Sequence, residues 1–198
     1  MKAALSSIII WTTLIGLIIS FFPVPVWSEE IERPRIKRFR VVAQGDEFAV
    51  YGELFPAFQP DIEASILAGV PTTFEFYVYL KRVRWYWNNE ILAHATYRHQ
   101  VTYDTLRKTY AVVIDRVGED GIILSEITGS RQRMQELMTQ FHGSVVYPVH
   151  DLDPDDQYYV SLTASLTTRQ LPSPWDHILF FLSNDFKTET SRKFFPEH

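Results

Sequence analysis

The chain has 198 residues, with 19 Lys plus Arg against 24 Asp plus Glu and a net charge of −5. It contains no cysteine, which excludes disulfides, thiolate zinc sites, cysteine nucleophiles and a lipid-modified N-terminal cysteine. The acidic balance argues against a nucleic-acid binder, which would need a broad basic surface.

Residues 1–28 differ from the remainder. Lys2 is their one charge, and Ile8 to Phe22 are apolar apart from Thr12, Thr13, Gly16 and Ser20. Pro23 and Pro25 follow, with Val26 and Ser28 at the minus-three and minus-one positions of a cut before Glu29. This order of charge, apolar run and small-residue site predicts a secretory signal peptide. The alternative is an N-terminal membrane anchor, since Ala3 to Phe22 matches the roughly 20 residues that span a bilayer. Both readings place the chain outside the cytoplasm: periplasmic, or anchored to the outer face of the inner membrane. Residues 29–198 are then expected to form one mostly β domain, large enough to be held by its core alone.

Ile36–Ala43 and Glu47–Leu54 read as a hairpin turning at Gln44, Gly45 and Asp46. Its first strand is basic: Arg33, Arg35, Lys37, Arg38 and Arg40 follow Glu29, Glu30 and Glu32. The simplest reading is a solvated edge strand. The sharper one is a patch, centred on Arg38 and Arg40, for an acidic partner or anionic lipid. Pro60 and Asp61 open a short helix carrying Ile62, Ile66, Leu67 and Val70, which Gly69 stops.

The longest strand is expected over Thr72–Trp87. Phe74, Phe76, Val78 and Leu80 share one face, and Glu75, Tyr77, Tyr79 and Lys81 the other. The phase slips near Lys81, which predicts a bulge. Strands follow at Ile91–Tyr103, Thr109–Arg116 and Ile122–Ile127. Ser130 caps a helix expected to run through Phe141, with Met134, Leu137, Met138 and Phe141 on one stripe and Gly143 as its end. Ser144–Val149 and Tyr158–Thr167 are the next strands, the second having one wet and one dry face. Leu171 and Pro172 close it. Ser173, Pro174 and Asp176 start a helix to Leu182. Asp185–Phe194, polar at most positions, reads as an edge strand. About nine strands with two or three short helices and no β-helix-β alternation predict a mainly β fold, an antiparallel sandwich or open barrel.

The acids Asp151, Asp153, Asp155 and Asp156 resemble a calcium loop at first. Pro154 interrupts it, Asp156 replaces the sharp-turn glycine, and Leu162 stands where a bidentate glutamate is needed. A type I turn with Pro at its second position explains them better. His94 and His99 point to opposite faces of one strand. His142 and His150 have no ligand spacing, so no metal site and no cofactor is expected. No nucleophile elbow or phosphate loop occurs, and no catalytic residue is assigned. Aromatic residues make up 15% of the chain. Tyr77, Tyr79, Trp85, Tyr86 and Trp87 crowd one strand. The plainest account is a central strand packed on both faces. The functional account is a ring-bearing surface for a partner or a sugar.

The run Ala68-Gly69-Val70-Pro71, Phe74, Leu80-Lys81-Arg82, Trp85 and Trp87 resembles a pattern in an uncharacterised family of exported bacterial proteins, a domain of unknown function. Tyr97, Tyr103, Leu106, Tyr110, Leu152, Pro154, Tyr158, Val160, Leu162, Leu166, Leu171-Pro172-Ser173-Pro174 and Ser183 continue the pattern. Asp185-Phe186 departs from it where a tryptophan is expected. The resemblance implies an exported protein and no known reaction. The expected function is therefore a non-enzymatic interaction module of the cell envelope. Its binding residues would be Tyr77, Tyr79, Trp85, Trp87, Arg38 and Arg40, and its partner another envelope or membrane protein. Membrane contact is expected only if the N-terminal segment is retained. A glycan-binding domain using exposed aromatics is one alternative. A metal-dependent or acid-base hydrolase using the Asp151–Asp156 carboxylates with His150 or His142 is the other.

Overall fold

The computed structural model describes residues 32–86, 88–118, 121–168 and 187–194. The expected leader at 1–28, Trp87, the Leu171–Pro172 stop and the helix expected over Ser173–Leu182 lie outside the described residues.

The described strands make two antiparallel sheets. β1 (Arg35–Gln44) and β2 (Glu47–Phe55) form the expected hairpin, turning at Gly45, whose φ of +57° suits glycine. With β7 (Gln140–Val146) they give a three-stranded sheet in the order β1-β2-β7. The second sheet has six strands. These are β3 (Thr72–Arg82), β4 (Glu90–Asp104), β5 (Thr109–Arg116), β6 (Ile122–Thr128), β8 (Tyr158–Thr168) and β9 (Lys187–Phe194), in the order β6-β5-β4-β3-β8-β9. Helices α1 (Pro60–Leu67) and α2 (Arg131–Thr139) precede β3 and β7. The result is a mainly β fold of two open sheets, as the alternation predicts. Among the described strands β9 ends the six-stranded sheet, as expected of an edge strand.

The core lies between the sheets. Phe48, Val50 and Leu54 of β2, with Phe141 and Val145 of β7, face the even-numbered residues of β3 and β8. Phe74, Phe76, Val78 and Leu80 are buried, as are Tyr158, Val160, Leu162, Ala164 and Leu166. Burying each such large side chain stabilises the fold by roughly 1.5–3 kcal/mol. β7 packs on β3 and β4, β2 on β8, and β1 on β9.

Two expectations need correction. The helix begins as expected, with Ser130 Oγ accepting from the Arg133 amide at 3.2 Å, but ends at Thr139. Phe141 and Gly143 belong to β7, paired with Gly52 and Val50 of β2. The helical spacing of Phe141 loses to a strand partner that claims Gln140–Val146. Gly143 is a close-approach residue, not a helix stop. A Cβ there would stand 2.7 Å from ring atoms of both Phe141 and Tyr97. Tyr97 Oη pins this strand by donating to Ser144 O and accepting from Ser144 N, both at 2.8 Å.

The second correction concerns β3. Its bulge lies where expected, the β3–β4 register shifting between Leu80 and Lys81. The strand then stops at Arg82, and β4 begins at Glu90. Arg82, the last residue of β3, and Arg84, just beyond it, reach toward Glu90 and Asp156.

Candidate binding site at the β3–β4 tip

β3 and β4 are long, centrally placed and antiparallel, so their connection projects from a rigid support. Side chains tie the connection down. The Arg84 amide donates to Asn89 Oδ1 at 3.1 Å, and Arg84 Nε to Glu90 Oε2 at 3.1 Å. The Val83 amide donates to Gln157 O at 2.8 Å, and Asn89 Nδ2 to Tyr159 Oη at 2.9 Å. Arg82 Nε stands 3.3 Å from Asp156 Oδ2, with the guanidinium 5.8 Å from the Tyr158 ring centre. Partial burial opposes the Arg82 charge, and the neighbouring Tyr158, Asp156 and Glu90 outweigh it, so its pKa is raised.

Above this frame stand Trp85 and Tyr86, 83% and 71% exposed. Their ring centres are 3.5 Å apart with the planes tilted by 39°. Arg82, Val83, Arg84, Trp85, Tyr86 and Asp156 line an open cleft of about 370 Å³. The expectation that the whole aromatic cluster packs as a doubly covered strand is therefore wrong for Trp85 and Tyr86, because the strand ends before them.

Tyr77 and Tyr79 do lie on β3, half-buried on the outer face of the six-stranded sheet. Tyr77 stacks on Tyr79 at 6.5 Å, and Tyr79 on His94 at 6.2 Å. Lys81 Nζ lies 4.8 Å from the Tyr79 ring and 5.6 Å from that of Tyr159. Since Tyr159 also holds Asn89, this row of rings runs into the tip. Tyr77 donates to Glu75 Oε2 at 2.5 Å. That hydrogen bond to a carboxylate, with burial, raises the Tyr77 pKa.

Arg38 and Arg40 lie elsewhere, on β1 in the other sheet. Arg38 sits at a register slip with φ of +52° and pairs with Glu53 at 3.0 Å. The Arg40 guanidinium is 5.3 Å from the Tyr51 ring centre, and Tyr51 stacks on His142 at 4.5 Å. The six sequence-predicted residues thus do not form one site. Tyr77, Tyr79 and Trp85 share the β3 side, Arg38 and Arg40 lie on the outer face of the other sheet, and Trp87 is outside the described residues. Sequence reasoning missed Arg82 and Asp156 as partners in the site, since they are 74 positions apart in the chain. The local signal was the pair of arginines flanking Val83 immediately before Trp85.

The acidic segment is the expected turn. The Asp156 amide donates to Asp153 O at 3.1 Å, with Pro154 second. Asp153 Oδ1 accepts from the Asp155 amide, and Tyr158 Oη bridges the Asp153 amide and carbonyl. His150 Nε2 is 3.3 Å from Asp151 Oδ1, both side chains exposed. His142 is stacked on Tyr51 instead. Among the described residues, no group of three His, Asp or Glu is placed to hold a metal ion. His94 and His99 do face opposite ways: His94 is exposed, whereas His99 is 2% exposed within the core. Burial pushes the His99 pKa down to about 4. Its Nδ1 is 2.9 Å from Leu137 O, in the last turn of α2.

A family model described as Domain of unknown function (DUF4390) matches residues 32–194 of the chain. No curated protein and no solved structure matches it.

Proposed function

The chain belongs to the DUF4390 family, and we propose that it is an exported envelope protein whose β-sandwich acts as a non-enzymatic binding module. Its recognition element is the β3–β4 tip, and its partner is another envelope or membrane protein. The observation that carries this reading is the exposure of Trp85 and Tyr86 on a tip braced by Arg82, Arg84, Asn89 and Glu90. Exposed large rings cost solubility, and Trp, Tyr and Arg dominate the energetics of protein interfaces. A braced loop loses little entropy on binding, so more of the contact energy appears as affinity. Export rests on the leader pattern of residues 1–28.

The test is affinity capture from envelope extract with the wild-type chain and with Trp85→Ala/Tyr86→Ala. The wild type is expected to recover a specific protein that the double variant loses, with thermal unfolding of the two chains the same. Equal recovery by both would reject the tip as the recognition element.

Glycan binding is a second reading, supported by the same exposure of Trp85. The 39° tilt between the two rings favours a protein contact over a flat sugar platform. Quenching or shift of tryptophan fluorescence on adding envelope oligosaccharides separates the two. The hydrolase reading finds less support. Asp153 holds its own turn and Asp156 pairs with Arg82, so these carboxylates are engaged in structure.

A further inference from the structure

β6 stands at the end of the six-stranded sheet, and among the described residues no strand pairs with its outer edge. An open edge is a template for another chain, and proteins commonly guard it with lysine, proline or extreme shortness. β6 has neither lysine nor proline over its seven residues, its one bulge lies at its first residues, and its one charge is Glu126. Residues 122–128 read Ile-Ile-Leu-Ser-Glu-Ile-Thr. Ile122, Ile123 and Ile127 are 64%, 57% and 73% exposed. By contrast, β9 at the opposite edge carries Lys187, Arg192 and Lys193, and edge strand β1 carries Arg35, Lys37, Arg38 and Arg40. The single charge on β6, Glu126, is held by its own Arg133 through two contacts of 2.9 Å. Those contacts keep its carboxylate pKa low.

We propose that β6 pairs antiparallel with β6 of a second copy of this chain, about a two-fold axis at Ser125. The six-stranded sheet then continues across both chains.

The residue pattern selects this occupant and this register. Antiparallel pairing about Ser125 sets Ser125 opposite Ser125, Glu126 opposite Leu124, and Ile127 opposite the bulged pair Ile122–Ile123. Each exposed Ile127 therefore meets the exposed isoleucines at the start of the partner strand. Cross-strand apolar pairs of this kind stabilise a sheet by roughly 0.2–1 kcal/mol each. The residues of the two chains most in need of cover meet each other. A slip of the partner by two positions would set Glu126 directly against Glu126, which is unfavourable. The β5–β6 register slips between Ile114 and Asp115, leaving Ile123 as the extra residue. Leu124–Thr128 therefore remain regular and available for pairing. The contact uses the same patch on both chains, so it closes as a dimer. It involves none of the tip residues and stands independently of the proposed function.

The chain lacks cysteine, so an introduced thiol is unique. Opposed residues of an antiparallel pair have Cα atoms about 4.5–5.5 Å apart, within the span of a disulfide. The full-length chain carrying Ser125→Cys is expressed in cells, oxidised mildly and run on a non-reducing gel. It is expected to run mostly as a dimer. Thr128→Cys is expected to stay monomeric, because its two copies would be about 20 Å apart at about 3.4 Å per residue. Adding Ile127→Lys to Ser125→Cys is expected to cut the cross-link by about tenfold or more, since a charge would enter the apolar cluster. Cellular abundance of that variant is expected to be unchanged. Three results would overturn the proposal: a Ser125→Cys chain that stays monomeric, equal cross-linking from both cysteine positions, or an adduct with a different protein. The last would identify the edge as an acceptor for another protein's strand.

Discussion

Acidification should destabilise this protein through His99. The imidazole is sealed between the sheets and α2, its ring 4.7 Å from Phe76 and 6.3 Å from Phe141. In its neutral form Nδ1–H donates to Leu137 O, one of the carbonyls that α2 leaves unbonded at its end. Burial lowers the His99 pKa from 6.5 to about 4. Between those values the unfolded chain binds a proton at this histidine and the folded chain does not, so stability falls as pH falls. At about 1.4 kcal/mol per pH unit, the full fall from pH 6.5 to 4 removes about 3 kcal/mol, a large share of the roughly 5–15 kcal/mol that holds a domain. The assay is urea unfolding at a series of pH values, for wild type and His99→Gln. Glutamine keeps a donor for Leu137 O and does not titrate. Carboxylates contribute equally to both curves, so their difference isolates His99. Wild type should lose about 3 kcal/mol more than the variant between pH 6.5 and 4. Parallel curves would show that His99 is reached by water in the folded state, and the reasoning from burial would fail.

Three further outcomes are expected from thermal or chemical unfolding. Gly143→Ala forces a methyl group against the Phe141 and Tyr97 rings and should destabilise by about 1–3 kcal/mol, with no gain from stiffening the strand. Tyr97→Phe removes both hydrogen bonds to Ser144 and should cost about 1–3 kcal/mol, chiefly by leaving backbone groups unsatisfied. Ser130→Ala removes the cap on the Arg133 amide and should cost about 1 kcal/mol, whereas Ser130→Asp should retain most of it. A Ser130→Ala variant as stable as the wild type would mean that water replaces the cap.

Strand content and its phase were legible in the chain because two-residue alternation is local. Phe74 to Leu80 and Tyr158 to Leu166 declare their buried faces without reference to anything distant, and Gly45, Gly69 and Ser130 mark their turns and caps by their own backbone chemistry. The resemblance to an uncharacterised family was also readable, in the order of motifs from Ala68 to Pro174, and a family match over residues 32–194 agrees with it. What the tertiary structure decided was pairing. Phe141 satisfies a helical stripe and a strand face equally well until β2 is placed beside it. Trp85 reads as strand until Arg82 and Arg84 find Glu90 and Asp156. The split of Tyr77 and Tyr79 from Arg38 and Arg40, and the open edge at β6, follow from sheet order, which depends on contacts between segments far apart in the chain. Local periodicity fixes which side of a strand is dry, and only the assembled sheets determine which neighbour dries it.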